Sequence, residues 1–223
     1  NTLGESSGNG SVSLNSPATN ASSYGLYITG AGSVNISNNI IGSIVTTGSA
    51  SIAHSFYAIY TLGTGNRIVS GNQIGSEVTE SSIHTSTSVA SGSAQLLRGI
   101  WNASSGNITI SDNTISNLRN ASIFQTSSGQ IAGIISTAGV NTITGNSVYN
   151  LFTTSPSTGN SITASSVIGI GATSALAGQN ISNNKIYNIE NQFGASRAVY
   201  VIGLYYQNPT AAGSNIIEKN FIH

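Results

Sequence analysis

The chain has 223 residues, with six Lys or Arg and six Asp or Glu, so its formal net charge is zero, and it contains no cysteine. The lack of cysteine excludes thiolate metal sites and thiol catalysis. Charged residues make up only 5% of the chain and no basic cluster occurs, which argues against nucleic acid or an anionic membrane surface as a partner. No apolar run approaches the ~20 residues of a membrane span. From the composition as a whole we expect a soluble, exported chain.

A short pattern recurs six times along the chain, with an apolar residue three positions before an asparagine and another two positions after it. The first copy is Ile36-Ser37-Asn38-Asn39-Ile40-Ile41. The six asparagines are Asn39, Asn72, Asn113, Asn146, Asn184 and Asn220. They are 33 to 41 residues apart, which is a spacing typical of repeat architectures.

A second pattern, a small residue followed by Ile or Leu, keeps the same spacing. Its copies are Gly25-Leu26, Ala58-Ile59, Gly99-Ile100, Gly133-Ile134, Gly169-Ile170 and Gly203-Leu204. A third apolar residue often follows the asparagine pattern, as at Leu118, Leu151 and Ile189. Ile, Val and Thr dominate these segments and Gly and Asn punctuate them, which indicates strands rather than helices. The chain therefore predicts a solenoid in which strands keep register and Ser/Thr-rich loops, such as that from Glu77 to Gln95, absorb the length changes.

These in-register strands and asparagines resemble the right-handed parallel β-helices of the pectate-lyase type. The resemblance implies an all-β, right-handed parallel β-helix of about six coils with long Ser/Thr-rich loops, and we expect one such domain over residues 1–223. It also implies that the six asparagines stack as a ladder at a bend between two sheets. Asn suits this position because it tolerates a left-handed backbone and its amide both donates and accepts hydrogen bonds.

The two ends of the chain occupy the same phase of the repeat. Asn1-Thr2-Leu3-Gly4 aligns with Asn39-Ile40-Ile41-Gly42, and the chain closes on Asn220-Phe221-Ile222-His223. An uncapped solenoid exposes strand edges and core side chains at its ends. We therefore expect Asn1, Leu3, Phe221 and Ile222 to lie at a joint, either with adjoining repeats of a longer chain or head to tail with another copy.

The segment around the small residue is apolar on both faces of the predicted strand, and such strands are usually buried on both faces. We therefore expect an apolar strip on the outer face that another part of the chain or a partner covers. If its Ile or Leu points inward, the small residues and two further columns point outward. One column lies three residues before the Ile or Leu, at Phe56, Leu97, Ile131, Val167 and Val201, and the other lies one residue after it, at Tyr27, Tyr60, Trp101, Ile135 and Tyr205. Loops folding back would cover the strip, or it would bind another protomer or a glycan through Tyr27, Tyr60, Trp101 and Tyr205. The opposite orientation, with the small residues inward and the rings in the core, stays open.

Many β-helices that this chain resembles are polysaccharide lyases or hydrolases, with clustered carboxylates or a calcium site. Here the only Asp is Asp112, and Glu77 and Glu80 are the only two carboxylates close together in a loop. Glycoside hydrolysis needs two facing carboxyl groups and calcium needs several oxygen ligands. We therefore expect no catalytic residue, no metal and no cofactor, and a polysaccharide lyase or hydrolase is the enzymatic alternative.

Residues 1–12 and 34–44 also resemble repeated segments of very large secreted bacterial β-strand-repeat surface proteins. This resemblance implies an extracellular scaffold or fibre, with a glycan-binding, adhesin-like role as the alternative. Ice binding is a less favoured alternative because it needs a flat outward array of Thr. The position after each ladder asparagine reads Ile40, Gln73, Thr114, Ser147, Lys185 and Phe221, which is not such an array.

Overall fold

A computed structural model describes residues 1–17, 21–48, 53–85, 94–123, 129–194 and 198–223. Within these ranges the chain forms 22 strands and no helix, so none of them holds a helix that could cross a membrane. The strands of the first three coils are β1 Thr2–Gly4, β2 Val12–Asn15, β3 Ala21–Ile28, β4 Val34–Ser37, β5 Ile40–Gly42, β6 Ile44–Thr47, β7 His54–Gly63, β8 Arg67–Ser70, β9 Gln73–Gly75, β10 Ile83–Thr85, β11 Leu96–Ser104 and β12 Asn107–Ser111. Those that follow are β13 Thr114–Asn120, β14 Gln130–Ser136, β15 Val140–Thr144, β16 Ser147–Thr153, β17 Val167–Ala172, β18 Asn180–Ser182, β19 Lys185–Asn191, β20 Val201–Tyr206, β21 Ile216–Glu218 and β22 Phe221–Ile222.

The strands form three sheets in which every pair is parallel, and the chain visits the sheets in turn. The first sheet runs β1, β5, β9, β13, β16, β19, β22, with β10, β6 and β2 continuing from the second half of β13. The second sheet runs β3, β7, β11, β14, β17, β20, and the third runs β4, β8, β12, β15, β18, β21. The predicted parallel β-solenoid of about six coils is therefore confirmed.

The core consists of apolar columns in which equivalent residues of successive coils lie directly on one another. Ile110 pairs with Val69 on one side and with Ile143 on the other, and all three side chains are fully buried. The third apolar position behaves likewise, since Leu118 pairs with Ile83 and Leu151. Each such burial contributes roughly 1.5–3 kcal/mol of transfer free energy.

The predicted orientation of the second sheet is wrong for two of its columns. Phe56, Leu97, Ile131 and Val167 lie in the core together with Ile59 and its equivalents, instead of pointing outward. The reason is an interruption at the small residue: strand pairing runs Tyr57 with Arg98 and then Ile59 with Ile100, and omits Ala58 and Gly99. The simple alternation of a flat strand therefore fails at this point, and apolar residues on both sides of it point inward.

The small residues themselves also face inward, where the second sheet approaches the first. A Cβ on Gly133 would lie 2.4 Å from Cγ1 of Val148 and 2.6 Å from the backbone oxygen of Gly169. Gly99 and Gly169 meet Ile115 and Ile186 in the same way. The residues of this column are small because there is no space for a larger side chain between the two sheets. They do not form the smooth outer strip that we expected.

Candidate functional site

The ladder asparagines lie at the bend between the third and first sheets. Asn72, Asn113, Asn146 and Asn184 are fully buried and Asn39 nearly so. Each Nδ2 donates to Oδ1 of the next asparagine over 2.8–2.9 Å, from Asn39 through to Asn220. Asn1 extends the row at the other end, donating to Asn39 over 3.0 Å.

Every buried amide of this ladder has both its donor and acceptor groups satisfied. Asn113 donates to Asn146 and to the backbone oxygen of Val69 over 2.9 Å, and its Oδ1 accepts from Nδ2 and the backbone N–H of Asn72. A buried amide without these partners would cost about 1–3 kcal/mol. The ladder therefore fixes the register of neighbouring coils at little cost.

The left-handed backbone of the bend belongs to the residue before each ladder asparagine, which differs from our expectation. These residues have φ between 54° and 68° and are Asn38, Gly71, Asp112, Gly145, Asn183 and Lys219. The ladder asparagine is thus selected for its hydrogen bonds, whereas the turn itself accepts Gly, Asn, Asp or Lys.

A second asparagine row, which the sequence analysis missed, lies where the first sheet bends within a strand. Asn117, Asn150 and Asn188 have φ between 49° and 57°, and Asn150 donates to Asn117 over 3.0 Å while Asn188 donates to Asn150. The signal was present, because each of them directly precedes one of the third apolar residues, Leu118, Leu151 and Ile189.

The outer face of the second sheet carries an aromatic surface formed by Tyr24, Tyr27, Tyr57, Tyr60 and Trp101. Tyr27 stacks on Tyr60 with ring centroids 5.2 Å apart, and Tyr24 stacks on Tyr57 at 5.3 Å. Tyr24 and Tyr57 were not singled out from the sequence, although Tyr24-Gly25-Leu26-Tyr27 and Tyr57-Ala58-Ile59-Tyr60 repeat one pattern. Since the rings stack along the solenoid, their edges rather than most of their faces point to solvent. Tyr205 lies in the column of Tyr27 but at the far end of the sheet.

Arg98 lies beneath this surface and is almost completely buried. Its guanidinium lies 3.8 Å from the ring centroid of Trp101 and donates to Oε1 of Gln130 over 2.8 Å. Burial lowers the pKa of Arg98 to about 10, a shift that the nearby Tyr57 and Tyr60 partly oppose. Burial also raises the pKa of Tyr57 and of Tyr60.

Further along the same face, part of the expected cover is present. Ile135 and Ile168 are fully buried and form a small cluster with Ala132, against which Ile162 of the 154–166 loop and Trp101 pack. In the loop from Glu77 to Gln95, residues 86–93 lie outside the described residues. The aromatic surface keeps solvent exposure, with Tyr24 at 39% and Tyr27 at 49%.

The two end coils expose residues that are buried elsewhere in the same columns. Ile217 is 44% exposed and Ile222 52%, whereas their equivalents Ile181 and Ile186 are fully buried. At the opposite end a recess of about 240 Å³ is lined by Leu3, Leu26 and Ile41, among others. Asn1 directly precedes β1, which contains Leu3, and β22 contains Phe221 and Ile222, so the four residues lie at the two ends of the first sheet. Their role in a joint stays a prediction.

The remaining chemical candidates lie apart from one another. Glu77 and Glu80 are exposed beside β9, and Asp112 is exposed at a ladder bend. His54 is buried, and its Nε2 forms a hydrogen bond with Ser23 Oγ over 2.8 Å. Among the residues that the structure describes, no three His, Asp or Glu side chains gather into a group that could hold a metal ion. Comparisons with protein-family models, with curated protein sequences and with solved structures found no match.

Proposed function

We propose that this chain is a structural β-solenoid, the scaffold of an extracellular surface protein or fibre, whose end coils stack on further coils. Those coils belong to the same polypeptide or to a second copy. The continuous asparagine ladder supports this role, because it ties each coil to the next by paired buried hydrogen bonds and makes the stack stiff along its length.

The observation that carries the proposal is the exposure of core positions at the end coil. Ile217 and Ile222 belong to the same core columns as Ile181 and Ile186, whose side chains are fully buried. The strands β20, β21 and β22 also end their sheets and leave one row of backbone groups unpaired within the described residues. One more coil would bury these side chains and pair this edge.

The experiment compares the same substitution at two Ile residues of equal exposure. Ile217 lies at the end of the stack and is 44% exposed, while Ile68 lies on the lateral face of the third sheet and is 45% exposed. We expect the 223-residue chain to associate into rods at high concentration, seen by sedimentation velocity and negative-stain microscopy. Ile217→Asp should abolish this association by placing a charge in a dry interface, and Ile68→Asp should leave it unchanged. Equal effects of the two substitutions contradict the proposal, and a monomer at all concentrations contradicts the form in which a second copy supplies the further coils.

Glycan binding by the aromatic surface is the second candidate, favoured by the exposed rings of Tyr24 and Tyr27 on β3. Tyr24 and Tyr27 are the first rings of their stacks on the end strand β3, so each has one face without a stacked ring that a sugar face would pack against, while the ring hydroxyl groups bond to sugar hydroxyls. The test is binding of neutral soluble polysaccharides to the wild type, to Tyr27→Ala, and to Tyr200→Ala as the control. Tyr200 has a comparable exposure of 42% but lies outside the aromatic surface. Equal binding by the two variants counts against this candidate.

A further inference from the structure

The outer face of the third sheet carries a regular array of short, uncharged side chains along the side of the solenoid. Ile36, Val69, Ile110, Ile143 and Ile181 form the buried column of this sheet. Because side chains alternate along a strand, the residues on either side of this column point outward. They form two outer columns, one reading Asn35, Ile68, Thr109, Thr142 and Asn180, and the other reading Ser37, Ser70, Ser111, Thr144 and Ser182.

The second of these columns, the hydroxyl column, holds a serine or a threonine in every one of its coils. Ser37 Oγ lies 2.8 Å from Ser70 Oγ, and Thr144 Oγ1 lies 3.4 Å from Ser182 Oγ, so hydroxyl groups of successive coils bond to one another. Ser182 is only 5% exposed, and the other members are partly exposed. A hydroxyl group has one donor and two acceptor positions, so the exposed members keep bonding capacity for molecules outside.

The spacing of the array is set by the backbone in both directions. Neighbouring coils are ~4.8 Å apart along the axis, and outward residues of one strand are ~6.6 Å apart across it. The asparagine ladder lies two residues beyond the hydroxyl column, and its amide N···O distances stay at 2.8–2.9 Å from Asn39 to Asn220. Side-chain ladders stabilise flat sheets against their natural twist. The outer face of the third sheet is therefore an evenly spaced two-dimensional lattice.

This lattice is free of charge. Arg67 is the only Lys, Arg, Asp or Glu in β4, β8, β12, β15 and β18, and it points inward. Its guanidinium is buried and donates to the backbone oxygens of Gly30 and Leu62 over 2.7 and 3.0 Å. Charged groups hold their hydration water far more strongly than hydroxyl groups do. Water on this face is therefore ordered by the spacing of the hydroxyl groups and not by single charges.

The two outer columns lack the side chains that a protein or a glycan needs for docking. Ile68 is their only large apolar side chain, and neither column contains an aromatic ring. Protein interfaces depend on large buried anchors, and sugar faces pack against aromatic rings. A lattice of hydroxyl groups fits a ligand that is itself periodic and consists of hydrogen-bonding groups.

We propose that the outer face of the third sheet binds ice. The two spacings of the lattice are close to the two repeats of the oxygen atoms on a prism face of hexagonal ice. Hydroxyl groups of Thr109, Thr142 and the hydroxyl column hold the first layer of water at these repeats, and the threonine methyl groups order the water between them.

The residues that argued against ice binding in the sequence do not lie on this face. They directly follow the ladder asparagines and belong to the first sheet, as Thr114 does at the start of β13. The array uses strands along the side of the solenoid, and further coils at either end would lengthen it without changing its spacing. Ice binding is therefore independent of what the end coils stack on.

The test places lysine at one threonine inside the array and at one outside it. Thr142 lies in the array, whereas Thr114 belongs to an outward column of the first sheet in which Lys185 already occurs. We expect the wild type to show thermal hysteresis and to slow the recrystallisation of ice in frozen sucrose solution. Thr142→Lys should lose both activities, and Thr114→Lys should keep them. Far-ultraviolet circular dichroism verifies that each variant retains its β-sheet.

A gain of activity gives a second measurement that introduces no charge. Ser70→Thr combined with Ser111→Thr adds two methyl groups to the hydroxyl column, which already accepts Thr144. The double variant should have a larger thermal hysteresis than the wild type. Absence of both activities in the wild type, equal activity of the two lysine variants, or no gain in the double variant overturns ice binding. None of these results changes the association of end coils that tests the scaffold function.

Discussion

Asn146 donates from the same Nδ2 to the side-chain oxygen of Asn184 and to the backbone oxygen of Ile110, each over 2.9 Å. One amide therefore connects three successive coils. This contact recurs along the ladder and makes the asparagine a requirement of the stack rather than of the turn.

Replacing Asn113 with Asp should destabilise the fold by about 1–3 kcal/mol or more, because two buried acceptors lose their donor and a carboxyl group is buried among oxygens. Urea denaturation measures the loss. Asn183→Asp is the control, since Asn183 is exposed at the bend and its equivalent in an earlier coil is already Asp112. Equal losses for both variants would show that the ladder contributes nothing specific.

A methyl group added at the close approach of two sheets should also destabilise the chain. Gly133→Ala places Cβ 2.4 Å from Val148, and we expect a loss of about 1–3 kcal/mol from overpacking. Gly32→Ala is the matched control, because no atom lies within 4 Å of its added Cβ. Thermal or urea unfolding of the two variants gives the comparison, and an unchanged midpoint for Gly133→Ala would contradict the packing argument.

The ladder and the solenoid could be predicted from the sequence because the asparagines and the apolar residues that form them recur once in every coil. The direction of the side chains around Ala58 and Gly99 could not, since the recurring small residue does not by itself show that strand pairing and side-chain alternation are interrupted there. The left-handed residue was misplaced by one position for a related reason: Asn38 and Asn183 stand directly before ladder asparagines, and adjacent identical residues hide which of them turns. The cover formed by Ile162 depends on the path of one non-repeating loop, which periodicity cannot indicate.

Detachment of the loop that carries Ile162 can be measured by the fluorescence of Trp101, the only tryptophan of the chain. Ile162 packs against the cluster of Ala132, Ile135 and Ile168, beside Trp101. Ile162→Asp should detach the loop, and the emission of Trp101 should shift to the red while the far-ultraviolet circular dichroism stays that of β-sheet. Leu176→Asp, at an exposed site outside the cluster, should leave the emission unchanged. A red shift in both variants would point to general loosening instead.

The stability of the fold should fall as the pH drops below about 6.5, in part through His84. Burial and the neighbouring Arg119 lower the pKa of His84 from its ordinary value of 6.5. Between that value and the lower folded pKa, the unfolded chain binds a proton that the folded chain does not, so acid favours unfolding. Urea midpoints measured from pH 8 to pH 5 should decline less in His84→Gln than in the wild type. His223→Gln, at an exposed position, should follow the wild type.

The side-chain hydrogen bonds of the ladder all run the same way, each from Nδ2 of one asparagine to Oδ1 of the asparagine in the coil that follows. Their dipoles add along the axis and strengthen one another, as in any chain of aligned hydrogen bonds. The molecule is therefore polar along its axis. Ladder donors of one unit meet ladder acceptors of the next only when both units point in the same direction, so an assembly of these units has two different ends. Units that point in opposite directions would place donor against donor.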